Sequence, residues 1–268
     1  MDFLALKDIA EREMELVNPI SPDKVLRAGE AARLKRGSRV VEYGCGYGEV
    51  LALWAERFGV SGLGIDFRPK ACERARQKMA ARREAWPGRI EIACADAAGY
   101  PVEPGGYSVA ACVGASFIWR GFRPALQNMK PAPPQAPAKI RIDTIRKGLG
   151  AGVRPGGRIV IGEPYWRTAG VPPEYSRGEA GVHTEFELLQ IIRAEGFDLE
   201  YVVRASQDDW DRYEAGNWQG LVRWLEENPD HPDRGEVSAH LRESQDEYLR
   251  YAREHLGWAL YVLGEGNA

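Results

Sequence analysis

Little in this sequence invites a metal ion. Its four cysteines (Cys45, Cys72, Cys94 and Cys112) form no Cys-x-x-Cys pair, and no histidine stands near any of them at ligand spacing. Three lie in or beside apolar runs that read as strands, where a small buried thiol is the ordinary expectation. No apolar stretch approaches the length of a membrane span. Met1, Asp2 and Phe3 lead into an amphipathic segment unlike a signal peptide, so the expected location is cytoplasmic. Basic excess is also lacking: the formal net charge is −3, which offers phosphate backbones no general attraction. The densest basic group, Lys78 with Arg82 and Arg83, reads as a solvated helix face. Low complexity is confined to Pro131–Pro137, where four prolines in seven residues favour an extended loop. Oligomeric state has no signature in the sequence.

What is there describes a globular enzyme-sized chain. At 268 residues, 44% hydrophobic and 28% charged, it can fill one large core with a modest cap but not two ordinary enzyme domains. The organising stretch is Val40-Val41-Glu42-Tyr43-Gly44-Cys45-Gly46-Tyr47-Gly48-Glu49, followed by an apolar helical pattern at Val50, Leu51, Leu53 and Trp54. A strand, a glycine turn and a helix in that order form the context of a nucleotide-binding loop. Bare backbone there lets a ligand lie where a Cβ would collide, facing the N–H groups that open the helix. The next strand, Ser61–Asp66, ends in a carboxylate about twenty residues after the loop, at the ribose-binding distance of a parallel neighbour. A third strand over 89–97 carries Asp96. Glu42, Asp66 and Asp96 therefore share the carboxyl edge of one parallel sheet.

In these residues the chain resembles the class I S-adenosylmethionine (SAM)-dependent methyltransferases. Glu42-x-Gly44-x-Gly46-x-Gly48 is similar to their glycine motif, Asp66 to their ribose acid, and Asp96-Ala97 to their adenine-side pair. Nicotinamide and flavin enzymes space the last two glycines by three residues, whereas here Gly48 follows Gly46 directly by two. The resemblance implies SAM as cofactor, held by Glu42, Tyr43, Gly44, Cys45, Gly46, Gly48, Asp66, Phe67, Asp96, Ala97 and Val113. It also implies an α/β, Rossmann-like sheet of seven strands in the order 3-2-1-4-5-7-6, with the last strand antiparallel.

The remaining elements fit that plan. A short helix over 2–16 and a second opened by Ser21-Pro22 precede the first strand. A helix through about Ala85 buries Cys72, Ala75, Met79 and Ala80. Tyr107–Gly114 is an apolar central strand, a helix is expected over 139–149, and Arg154–Gly157 reads as a turn into a strand over 158–163. Thr184 and Glu187 make a capping box, residues 199–205 a sixth strand, and Trp258–Leu263 the antiparallel seventh. After the fourth strand no Asn/Asp-Pro-Pro-Tyr tetrad appears, which argues against methylation of DNA bases and glutamine amides.

Residues 1–268 are expected to form a single domain with cap elements at 1–20, 115–152, 164–183 and 207–257. The last three leave the carboxyl ends of strands and should converge above the cofactor. Phe117, Trp119, Trp166, Trp210, Tyr213 and Trp218 are the candidate substrate wall, and His183, Glu163 and Tyr165 the candidate catalytic groups. The expected function is methyl transfer by in-line displacement to a small molecule, with no metal, no nucleic acid and no membrane as partner. A protein or RNA methyltransferase and a non-catalytic SAM-binding protein stay open on sequence alone.

Overall fold

A computed structural model describes residues 1–82, 86, 88–131, 152–178 and 181–266. Its sheet comprises β1 (Arg39–Tyr43), β2 (Ser61–Asp66), β3 (Ile90–Cys94), β4 (Tyr107–Val113), β5 (Val153–Trp166), β6 (Phe197–Arg204) and β7 (Leu256–Glu265). The spatial order is β3-β2-β1-β4-β5-β7-β6, with the two-residue strand His183–Thr184 attached to the end of β5. β7 runs antiparallel to both its neighbours, and the other path pairings are parallel. This is the order that the sequence implied.

Strand alternation sorts the core into two faces. Val40, Val109, Val160 and Val262 pack with α2 (Pro22–Ala31) and α3 (Glu49–Phe58). Their neighbours Val41, Ala110 and Ile161 pack with α5 (Phe122–Met129) and α6 (Glu185–Ala194). Trp54 of α3 is fully buried and donates its indole N–H to the Val25 carbonyl at 2.9 Å, fastening α3 to α2. The helix α4 (Pro69–Arg82) closes the β2–β3 crossover.

Three further helices assemble beyond the carboxyl edge. α1 (Phe3–Ala10) and its 3-10 continuation Glu11–Glu13 lie against α7 (Gln207–Glu227), which packs on α8 (Arg234–Glu247) through Leu6, Ala10, Leu221 and Val237. Gly220 permits this approach, because a Cβ there would stand 2.6 Å from the Ile9 carbonyl oxygen. Ser206 and Asp209 form a capping box for α7, and the same Asp209 accepts from Lys24 of α2 at 2.5 Å. The cap of one helix is thus also its anchor to the core.

Several expectations need correction. β5 begins at Val153, because Pro-Gly-Gly loops out as a bulge between the Tyr107↔Val153 and Val109↔Arg158 pairs, with Gly156 at φ +69°. It runs on to Trp166 because β7 supplies an antiparallel partner as far as Leu256. Cys94 and Ala80 are exposed. Ser21 occupies the N-cap of α2 without a side-chain bond. Lys78, expected on a solvated face, is buried against Glu49 and Glu15. The expected helix over 139–149 and the Pro-rich loop from Ala132 onward lie outside the described residues, as do positions 83–85. Among the described residues no helix is long and apolar enough to cross a membrane.

Candidate active site

A cavity of about 970 Å³ opens at the carboxyl ends of β1, β2, β4 and β5, beneath α1 and α7. That is the upper end of the roughly 300–1,000 Å³ typical of small-molecule sites. Its floor is the glycine loop. Gly44, Gly46 and Gly48 all have left-handed φ (+70°, +51° and +72°), and Ile65 O accepts from the N–H groups of Gly44 and Cys45 at 2.8 and 3.0 Å. The three glycines divide their work. A Cβ at 44 would meet Ala115 Cβ at 2.5 Å, and one at 48 would meet Met79 Cε at 2.7 Å. Gly48 therefore makes room for α4 and does not border the cavity, whereas Gly44 and Gly46 do.

Asp66 at the end of β2 accepts from Gly46 N at 2.8 Å and from Arg68 N at 2.9 Å, which ties the glycine loop to β2. Glu42, 2% exposed, borders the cavity with Oε2 unpartnered. Burial, and secondly the Asp66 charge, push its pKa well up. Asp96 accepts from Ala98 N at 2.9 Å through one oxygen, Ala97 is buried beside it, and Phe67 stands half-exposed on the rim. Cys45 and Val113 also line the cavity.

At the other end stands Glu163, where β5 leaves the sheet core. It is 9% exposed, and its Oε1 has no partner. Burial raises its pKa to about 7 against the opposing effect of a hydrogen bond with Ser116, which follows β4. Trp210 and Tyr213 of α7 form part of the wall, together with Tyr175 and Trp258, while Phe117 is exposed at the opening. Other candidates do not reach the cavity. Tyr43 and Trp119 pack edge-on to each other, 5.0 Å apart, in the core on the α5 side. Trp166 packs on Tyr175, and Trp218 on Tyr248. Tyr165 is buried in the α5–α6 core, its ring over Gly257. His183 pairs with Tyr165 in the short edge strand, one residue beyond the cavity-lining Val182.

Residues without a sequence signal complete the site. Arg68 binds Glu11 at 2.8 Å, and Lys7 binds the same fully buried Glu11 at 2.8 Å. This cluster locks the end of α1 over β2. Glu214 and Glu247 border the cavity from α7 and α8. Arg68, two residues after the β2 acid, was the most findable of these; the others lie on helices whose facing is set by docking. Among the described residues no group of three or more metal-binding side chains is found.

A doubly wound sheet with bare backbone and acids at its switch edge defines a nucleotide-cofactor enzyme. Residues 40–132 match the family model described as a methyltransferase domain. Over 269 residues the chain is 34% identical to Escherichia coli (strain K12) YjhP, spanning 98% of this chain and 99% of that protein. A SAM-dependent methyltransferase from Geobacter sulfurreducens, solved in complex with S-adenosyl-L-homocysteine, is similar at 36% identity and TM-score 0.82, covering 98% of this chain and 99% of that one. One from Thiobacillus denitrificans, in complex with the same product, is similar at 33% identity and TM-score 0.82, covering 99% and 100%. The chain belongs to the class I SAM-dependent methyltransferases: it is an enzyme, and SAM is its cofactor.

Proposed function

We propose that the enzyme methylates a small molecule held between the cofactor and a cap made of α1, the segment after β4, the segment after β5, and α7 with α8. The observation that carries this reading is Glu163, a buried carboxylate with one unpartnered oxygen, which borders a cavity continuous with the glycine loop. The group to be held is a cation with a diol and a base, and the donors suit it. Glu42, with its orphan oxygen, meets the positively charged methionine end. Gly44 and Gly46 admit close approach of its backbone, Asp66 and Asp96 take the nucleoside, and Phe67 and Ala97 flank the base. When bound, SAM supplies a methyl on positively charged sulfur that an acceptor lone pair displaces in line, leaving S-adenosylhomocysteine.

The protein then has three tasks. Its cap aligns the acceptor and excludes water, which supplies much of the barrier reduction available to such a transfer. Trp210 and Tyr213 present aromatic surface toward a methyl that carries positive charge. Glu163, poised near neutrality, takes the acceptor's proton. A nucleic-acid acceptor is disfavoured by the carboxylates that outnumber cations around the cavity. Release of S-adenosylhomocysteine across an acceptor panel tests the reading. Glu163→Gln should reduce kcat about 100-fold with S-adenosylhomocysteine affinity unchanged, and His183→Ala should retain activity. Full turnover by the Glu163→Gln variant would remove Glu163 from the mechanism.

A further inference from the structure

Charge is distributed unevenly around the cavity. At the cofactor end, Glu42, Asp66 and Asp96 are accounted for by the proposed binding of SAM, and Glu11 is neutralised by Arg68 and Lys7. Glu15 and Glu49 are held by Lys78 at 2.6 and 2.5 Å. Three cavity carboxylates remain. Glu214 and Glu247 have neither hydrogen bond nor ion pair with any described residue, and Glu163 has only Ser116. Against them stands one cavity cation without an ion pair among the described residues, Arg120, which is exposed on the rim.

Trp210, Tyr213 and Glu214 fall at i, i+3 and i+4 of α7, so they share one helix face, and all three line the cavity. Glu247 closes α8 where the helix widens into a π-helical turn, Tyr248–Ala252. Such turns are found frequently at functional sites. Here the turn sets Ala252 in the cavity wall and Tyr248 behind Trp210, with their rings stacked 6.2 Å apart. Two buried polar atoms at this wall have no partner: Trp210 Nε1 and Glu163 Oε1. Both residues line the cavity, and buried polar groups left unsatisfied are costly. Burial and then the neighbouring Glu247 charge push Glu214 up to about 7 against the opposing charge of Lys7, which also lines the cavity, and a cation between the two carboxylates would relieve what remains of that penalty.

We propose that the methyl acceptor is a cationic amine seated against Glu214, Glu247 and the faces of Trp210 and Tyr213, with Glu163 on its reactive side. This rests on the reading of the enzyme as a small-molecule methyltransferase with Glu163 as base. An ammonium R–NH3⁺ gives one proton to the Glu163 carboxylate. The nitrogen lone pair forms the N–C bond as the C–S bond breaks, yielding R–NH2⁺–CH3 and neutral S-adenosylhomocysteine. Glu163 then returns the proton to water.

The test is calorimetric, on full-length protein saturated with S-adenosylhomocysteine, using benzyltrimethylammonium as an unreactive cation, benzyl alcohol as a neutral probe and phenylacetate as an anion. The cation should bind at least tenfold more tightly than either. Glu214→Gln combined with Glu247→Gln should weaken it at least tenfold with S-adenosylhomocysteine binding unchanged, and the paired Asp substitutions should recover part of the loss. Equal binding of the three probes, or full cation affinity in the double Gln variant, overturns the proposal. Failure of S-adenosylhomocysteine itself to bind would instead strike the cofactor assignment. Cation binding with no methylation of benzylamine or phenethylamine, while a neutral acceptor turns over, would reject the amine as substrate and leave the small-molecule reading standing.

Discussion

In the proposed mechanism Glu163 is the base, and its environment makes two pH predictions. A base held near 7 by burial must be ionised to work. We therefore expect kcat/KM to fall as pH drops through about 7, and this limb to vanish in Glu163→Gln. Stability carries the opposite slope. The folded pKa lies above the unfolded value, so the contribution is fully present below about 4.5 and is lost as pH rises through about 7. Denaturant titrations should find Glu163→Gln matching wild type near pH 4.5 and exceeding it by about 2–3 kcal/mol at pH 8. A variant equal to wild type at both pH values would mean that the carboxylate is solvated. Gly48 carries the other prediction at this scale. Its φ of +72° and the 2.7 Å gap to Met79 Cε imply that Gly48→Ala costs about 1–3 kcal/mol, measured by thermal unfolding. The glycine pattern was legible in the sequence, yet its division into two cavity glycines and one packing glycine was not. That division depends on α4, whose Met79 lies thirty-one residues away.

Among the elements, α1 is held by electrostatics as much as by its small apolar contact with α7. Glu11 is fully buried between Arg68 and Lys7, and removing the buried Arg68 leaves its charge only the more exposed Lys7 as partner. Arg68→Ala should therefore destabilise by about 2–4 kcal/mol. Because the loss is local, amide exchange should accelerate through Phe3–Glu13 more than in β4, and Glu11→Leu in the same chain should restore part of the protection. Uniform acceleration across the sheet would show that α1 is no separate unit. The amphipathic pattern announced the helix, and the Thr184–Glu187 box announced α6. Neither pattern carries the partner's identity: a buried ion pair between residues 11 and 68 joins positions too far apart for any local spacing to reveal.

At the scale of the molecule, the cavity exists only where α1, the glycine loop, the ends of β4 and β5, and α7 with α8 meet. A ligand that binds this assembly and not the unfolded chain stabilises the whole. At 100 times its Kd, S-adenosylhomocysteine should contribute about 2.7 kcal/mol, or a rise in Tm of roughly 5–10 °C for a chain of this size, whereas NAD should contribute nothing. An equal shift with NAD would contradict the glycine spacing. By itself the sequence determined the strands, the glycine turn and the acids at the sheet edge, because each rests on periodicity or backbone conformation within a few residues, and the strand order came with the resemblance that those residues carry. Tertiary structure alone decided which aromatic and acidic side chains line the cavity. Trp210 and Trp218 share a helix and a chemistry, and both pack against Tyr248, but the docking of α7 against α1 and α8 brings only the first to the cavity wall. Helix docking is a sum over distant contacts, and no local pattern encodes it.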